Sequence, residues 1–297
     1  MTGTAASDSF AGGLRTGAER LAGHLPPLLA DAEHLAQSVM TGEHGRRRAG
    51  MGDEFWQYRP ATGADEARMI DWRRSGRSDQ HFVREKEWQA AQSVLLWVDD
   101  AQSMAFSSDT GRPQKGGRAR LLALAAAVLL IRAGERVGLT GLLAPPRSGQ
   151  TQLLRLAAAL APTGAADYGV PEARGMPPHS RALFLSDYLG DIAPIRAAMA
   201  DAADRGVRGA LVQVLDPQEE SFPFSGRTIF ESMGGALRHE TLKAGDLRDR
   251  YLTRLAERKD ALAGLARATG WQYTCVHTGE PALGALLWIY RALERVR

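Results

Sequence analysis

The sequence predicts an α/β fold built on a doubly wound, mostly parallel sheet. Two observations carry this. The segments 93–98 (SVLLWV) and 181–185 (RALFL) are unbroken apolar runs of strand length, the pattern of strands buried on both faces. From residue 80 onward such runs alternate with helical segments, which demands crossover helices on the faces of the sheet.

The elements follow in order. The first ten residues are small and polar, as in a frayed terminus. Leu14, Ala18, Leu21 and Leu25 share one helical face, and Pro26 and Pro27 suit the first turn of a second helix ending near Met40. The Gly- and Arg-rich stretch 42–52 reads as an exposed loop. The stretch 54–77 carries Phe55, Trp56, Tyr58 and Trp72 without a sustained period, so an irregular segment anchored by large side chains is expected. The charged stretch 81–89 suits an edge strand. Strands are then expected at 93–98, 136–143, 181–185, 209–215 and 271–276. Helices are expected at 118–133, 150–160, 191–204, 247–269 and 281–295. The implied division is an N-terminal appendage, 1–80, and an α/β domain, 81–297.

Composition limits the function. The 297 residues include 44% hydrophobic ones and a net charge of only +3, so a sizeable folded core is expected. The lone cysteine, Cys275, excludes a scaffold of disulfides within the chain and is expected to be a buried small hydrophobe. No apolar run is long enough to span a bilayer, and no basic leader with an apolar stretch opens the sequence. A cytoplasmic protein is therefore expected. Only four basic residues are lysine, and the tight cluster Arg46–Arg47–Arg48 is too small for a nucleic-acid-binding stripe.

Ligands of doubly wound sheets gather at the carboxyl ends of the strands. There the first buried run ends in Asp99 and Asp100, followed by Ala101, Gln102 and Ser103. The second ends in Ser186, Asp187 and Tyr188, and the turn 162–167 precedes it. Carboxylates at two strand tips with hydroxyls nearby make an oxygen-rich site suited to Mg²⁺ or Mn²⁺.

Several sequence features point to a family. They are Gly50-Met51-Gly52-Asp53-Glu54-Phe55, then Arg59, Arg68-Met69-Ile70-Asp71-Trp72 and Ser75-Gly76-Arg77. The strand-loop VLLWVDDAQSM, Glu135-Arg136-Val137-Gly138, the FLSD strand end, Leu215-Asp216-Pro217 and Phe222-Pro223-Phe224 continue the pattern. Over residues 45–230 the chain resembles a bacterial von Willebrand factor A-like family of unknown function, whose members are associated with MoxR-type AAA+ ATPases. The resemblance implies a Rossmann-like sheet domain and a non-enzymatic adaptor that works with such an ATPase on client proteins. It also implies a metal-ion-dependent adhesion site with the ligands Asp99, Ser103, Thr163 and Asp187. Ala101 departs from the D-x-S-x-S pattern of that site, because its methyl group cannot coordinate a cation. The turn 60–65 departs as well.

Two other readings stand beside the adaptor. One is a metal-dependent hydrolase using the same acids, although the sequence offers no general base next to them. The other is a metal-free scaffold whose interface is the aromatic segment 55–72. Asp71, between Arg68 and Arg73, suggests an ion-pair clip holding that segment. No nucleotide site is expected, because residues 111–118 begin like a P-loop but place Gly117 and Arg118 where Lys and Ser or Thr are required. No G-x-S-x-G elbow occurs. The histidines show no zinc spacing, and Cys275 and His277 read as strand alternation rather than as a ligand pair.

Overall fold

The computed structural model describes residues 27–43, 55–62, 70–76, 80–86, 91–142, 144–161, 164, 166–235 and 238–294. The expected helix around Leu14–Leu25, the Gly50–Glu54 stretch, Arg68 and Thr163 lie outside these residues. The chain forms two compact units, residues 1–44 with 92–297 and residues 45–91.

The larger unit begins with α1 (Pro27–Glu43). The smaller unit pairs β1 (Phe55–Pro60) antiparallel with β2 (Phe82–Lys86), so the expected edge strand belongs to a separate two-stranded ribbon. The short helix α2 (Trp72–Ser75) lies between them in sequence, and Asp71 caps it by accepting the amides of Arg73 and Arg74, each at 3.1 Å. Trp72 is 59% exposed and meets His81 edge to face. Asp71 is thus a helix cap, and Trp72 is no buried anchor.

The larger unit resumes with β3 (Ser93–Val98), a 3-10 turn (Gln102–Ala105), α3 (Lys115–Arg132), β4 (Arg136–Leu139) and α4 (Gln150–Ala159). It continues with β5 (Arg181–Ser186), α5 (Ile192–Asp204), β6 (Arg208–Leu215) and α6 (Pro217–Ser221). An antiparallel ribbon, β7 (Thr228–Glu231) with β8 (Arg238–Thr241), was not legible in the sequence. The helix α7 (Arg248–Thr269), β9 (Gln272–His277) and α8 (Ala282–Leu293) complete the described chain.

The five-stranded sheet has the order β4-β3-β5-β6-β9, and every pairing is parallel. This is a doubly wound α/β fold. The chain moves outward from β3 to β4 and then returns to the other side of β3 to lay down β5. Strand order therefore reverses between β3 and β5, and a crevice opens at their carboxyl ends.

One face of the sheet is covered by α3, which is buried almost all round, as a helix between two apolar layers must be. Leu29, Ala32, Ala36 and Val39 of α1 join the same core, together with Leu286 and Ile289 of α8. The other face buries Phe184, Tyr188, Met199 and Trp271 beneath α5 and α7. The Phe222-Pro223-Phe224 segment builds a satellite cluster in which Phe222 and Phe224 meet Phe230, and Phe222 also meets Tyr251. Among the described residues, no helix is long and apolar enough to cross a membrane.

Candidate functional site

Asp99 follows the last residue of β3, and its amide donates to Leu185 O of β5 at 2.9 Å. Its carboxylate turns inward and is 1% exposed. Oδ1 accepts the Ala101 amide at 2.9 Å, and Oδ2 accepts the Ser186 hydroxyl at 2.6 Å. That hydroxyl also accepts the Tyr188 amide at 2.9 Å, which holds Tyr188 in the left-handed region at φ 51°. Gly164 and Gly169 come directly against these acids. A Cβ on Gly169 would lie 2.1 Å from Asp99 Oδ1, and one on Gly164 would lie 2.5 Å from Asp100 O. Only glycine admits so close an approach of backbone to a carboxylate. Burial raises the Asp99 carboxyl above its ordinary value, against the pull of its hydrogen bonds; Asp187 and Asp100 raise it further.

Asp187, one residue beyond β5, is equally buried. Its Oδ1 accepts the Leu189 amide at 3.1 Å and its backbone oxygen accepts the Gln213 side-chain amide at 2.8 Å. Its Oδ2 accepts from Lys115 Nζ at 2.8 Å. Lys115 opens α3 and is the residue that the sequence reading missed. Its ammonium is 1% exposed, donates also to Glu219 Oε1 at 2.6 Å and lies 5.7 Å from the centre of the Phe106 ring. Burial opposes its charge, but Asp187 and Glu219 outweigh burial and raise the ammonium above its ordinary value. Lys115 is therefore a fixed positive charge.

Glu219 is positioned by the head of α6. Asp216 caps that helix through the Gln218 amide at 2.9 Å, and Glu219 Oε2 returns to the Asp216 amide at 2.8 Å, closing a capping box. Asp216 Oδ2 also accepts the Ser108 amide at 3.1 Å, tying the loop after β3 to the end of β6. Its carboxyl sits below the ordinary value because these hydrogen bonds overcome a larger opposing effect of burial. Burial moves Glu219 the other way, upward, against the pull of Lys115.

Asp99 and Asp187 thus stand at the tips of the adjacent strands β3 and β5, and Ser103 lies in the turn after β3, while Thr163 falls outside the described residues. The described members of the set do not by themselves fit a divalent cation. Ala101 provides no ligand, and Asp187 Oδ2 is already paired with the ammonium of Lys115, whose side chain is 1% exposed. A divalent ion there would confront Lys115 at short range in a medium that screens poorly. Ser103 Oγ is buried and, among the described residues, has no hydrogen-bond partner.

Beside the acids, Leu96, Leu139, Leu142, Leu160 and Arg120 line a cleft of about 170 Å³ at the carboxyl ends of β3 and β4. Cavities of about 150 Å³ hold a benzene-sized group. Leu142, on its rim, is 52% exposed.

Three uncharacterized mycobacterial proteins, two from Mycobacterium tuberculosis strains and one from Mycobacterium bovis, are each 28% identical to the chain over 268 residues. The alignments cover 84% of this chain and 83% of each relative. Residues 56–261 match the family described as "Protein of unknown function DUF58". That span takes in the sheet from β3 to β6 together with Asp99, Lys115, Asp187 and Glu219, and the chain belongs to the DUF58 family.

Proposed function

We propose that the chain is a non-enzymatic protein-interaction module whose binding face is the carboxyl end of the parallel sheet. The observation that carries this reading is the ammonium of Lys115 seated between Asp187 and Glu219. In a metal-dependent adhesion site, a cation neutralises the acids at the strand tips and fixes the loops around them. Here Lys115 pairs with one of the strand-tip acids, Asp187, and with Glu219, which supports a face organised without metal.

The same geometry argues against hydrolysis. Asp99 and Asp187 are both 1% exposed, each accepts hydrogen bonds from its own loop, and Lys115 is held protonated. None of them is placed to take a proton from a substrate water. The cleft by Leu142 suits one apolar side chain of a protein partner, in the manner of a buried anchor at an interface. The resemblance to von Willebrand factor A-like proteins associated with MoxR-type AAA+ ATPases supports such an ATPase as the partner, with the chain acting as an adaptor toward clients.

The test is binding of the purified chain to a MoxR-type ATPase from the same organism, measured with excess Mg²⁺ and with excess chelator. Equal affinity in both conditions is expected, with a loss of binding in Leu142→Asp. Binding that vanishes on chelation would overturn the metal-free reading, and no binding in either condition would overturn the partner.

A further inference from the structure

A second cluster lies outside the acidic site, where α6 meets β9. Cys275 and His277 are two residues apart on β9 and so project from the same face of the sheet. Glu220 of α6 reaches the same point. The Cys275 sulfur, one ring nitrogen of His277 and one carboxylate oxygen of Glu220 all lie within 4.8 Å of one another. His277 Nε2 is 3.1 Å from Glu220 Oε2. Two light-atom donors on a tetrahedral zinc ion, with bonds of about 2.0–2.1 Å, stand about 3.3 Å apart.

We propose that Glu220, Cys275 and His277 form a binding site for a thiophilic divalent cation of the Zn²⁺ class. One thiolate, one imidazole and one carboxylate make a mixed donor set that zinc accepts and that Mg²⁺ or Ca²⁺ does not. All three residues are half-buried, which leaves a fourth position open to water. Lys259 of α7 pairs with the carboxylate through the other oxygen, Oε1, so Oε2 stays available. Against the upward push of burial, Lys259 also favours the charged form of the Cys275 thiol. Its side chain is 27% exposed, so it can withdraw from the sulfur into solvent, unlike Lys115. Uptake of the ion releases the thiol proton of Cys275 to solvent and ties α6 to β9.

Co²⁺ is the probe, because its thiolate complexes absorb by charge transfer and Cys275 is the only cysteine in the chain. Titration of the full, reduced chain should develop a thiolate–cobalt band at one equivalent, and Zn²⁺ should abolish it. Cys275→Ser should remove the band. His277→Gln and Glu220→Gln should each weaken Zn²⁺ binding by more than about 100-fold, beyond the effect of losing an outer partner of a metal ligand. Circular dichroism of the metal-free variants confirms that they fold. Absence of the band in the folded wild type would overturn the proposal, as would Zn²⁺ affinity unchanged in folded His277→Gln. These outcomes are independent of ATPase binding, which Cys275→Ser leaves in place.

Discussion

Lys115 Nζ and Asp187 Oδ2 lie 2.8 Å apart, and both side chains are 1% exposed. Ions so deeply buried are stable only as a set, since each alone would carry its full desolvation cost. Lys115→Met keeps the aliphatic stem and removes the charge, leaving Asp187 and Glu219 facing each other unpaired. Loss of about 3–5 kcal/mol of stability is expected, the range for breaking a buried pair from one side. Urea unfolding measures it. A loss under about 1 kcal/mol would mean that the ammonium is not the keystone of the site.

Ser186 Oγ donates to Asp99 Oδ2 and accepts the Tyr188 amide. Ser186→Ala leaves one buried carboxylate oxygen and one buried amide without these bonds. A loss of about 1–3 kcal/mol is expected, the cost of orphaned buried polar groups. The Asp99 carboxyl should also rise further, because a hydrogen bond that favours its charged form is gone. Unfolding measured at two pH values reads both effects.

Asp99 gives a pH signature of determinate sign. Its carboxyl is raised above the ordinary value of 3.8, first by burial. Between the unfolded and folded values the native state holds the extra proton, so stability falls as pH rises through that window. Below the unfolded value the penalty is absent, and above the folded value it is complete. Asp99→Asn cannot titrate. The wild type should therefore gain stability relative to Asp99→Asn as pH is lowered from 7 toward 4, as read from paired urea melts. A constant difference across that range would show that Asp99 is not perturbed in the folded chain.

Much of this site was legible in the sequence, and what was missed has physical reasons. SVLLWV and RALFL could be read as buried strands because a strand covered on both faces has no polar positions, and the acids after them then fall at the strand tips. Lys115 was not legible in that way. It sits at the head of a helix, and its partners Asp187 and Glu219 are brought to it by two crossover connections. One local signal was available, since Asp216-Pro217-Gln218-Glu219 has the spacing of a capping box with proline at the first helical position. That signal places Glu219 at the end of β6, though it does not reveal the lysine. Cys275 and His277 lie two residues apart on β9. Residues two apart share a face, and Cys275 is half-buried rather than enclosed. The β7–β8 ribbon escaped notice because its four-residue strands are largely exposed and carry no strong apolar run.

Gly169 tests the lid over the acids. A methyl group there would fall 2.1 Å from Asp99 Oδ1, so the loop must lift or the carboxylate must turn. Gly169→Ala is expected to cost about 1–3 kcal/mol, as overpacking does. The mobility should appear locally, as faster amide exchange at Ala101 and Ser103, whose amides bond Asp99 Oδ1 and Asp167 O. Unchanged exchange at both amides would place the loop elsewhere.

The last expectation concerns what happens when the internal cation is removed without a bulky replacement. In Lys115→Ala the carboxylates of Asp187 and Glu219 would face a gap once filled by the lysine side chain. Such an oxygen-rich gap suits Mg²⁺, which keeps several waters and needs few protein ligands. The wild type should show a melting temperature independent of Mg²⁺, because Lys115 already neutralises the site. Lys115→Ala should melt lower, then recover part of the loss as Mg²⁺ is added. An ion present at 100 times its dissociation constant returns about 2.7 kcal/mol, which is several degrees for a domain of this size. Recovery with Mg²⁺ but not with added monovalent salt would identify specific binding rather than screening. If the wild type responds to Mg²⁺ as strongly as the variant, the lysine does not stand in for a metal.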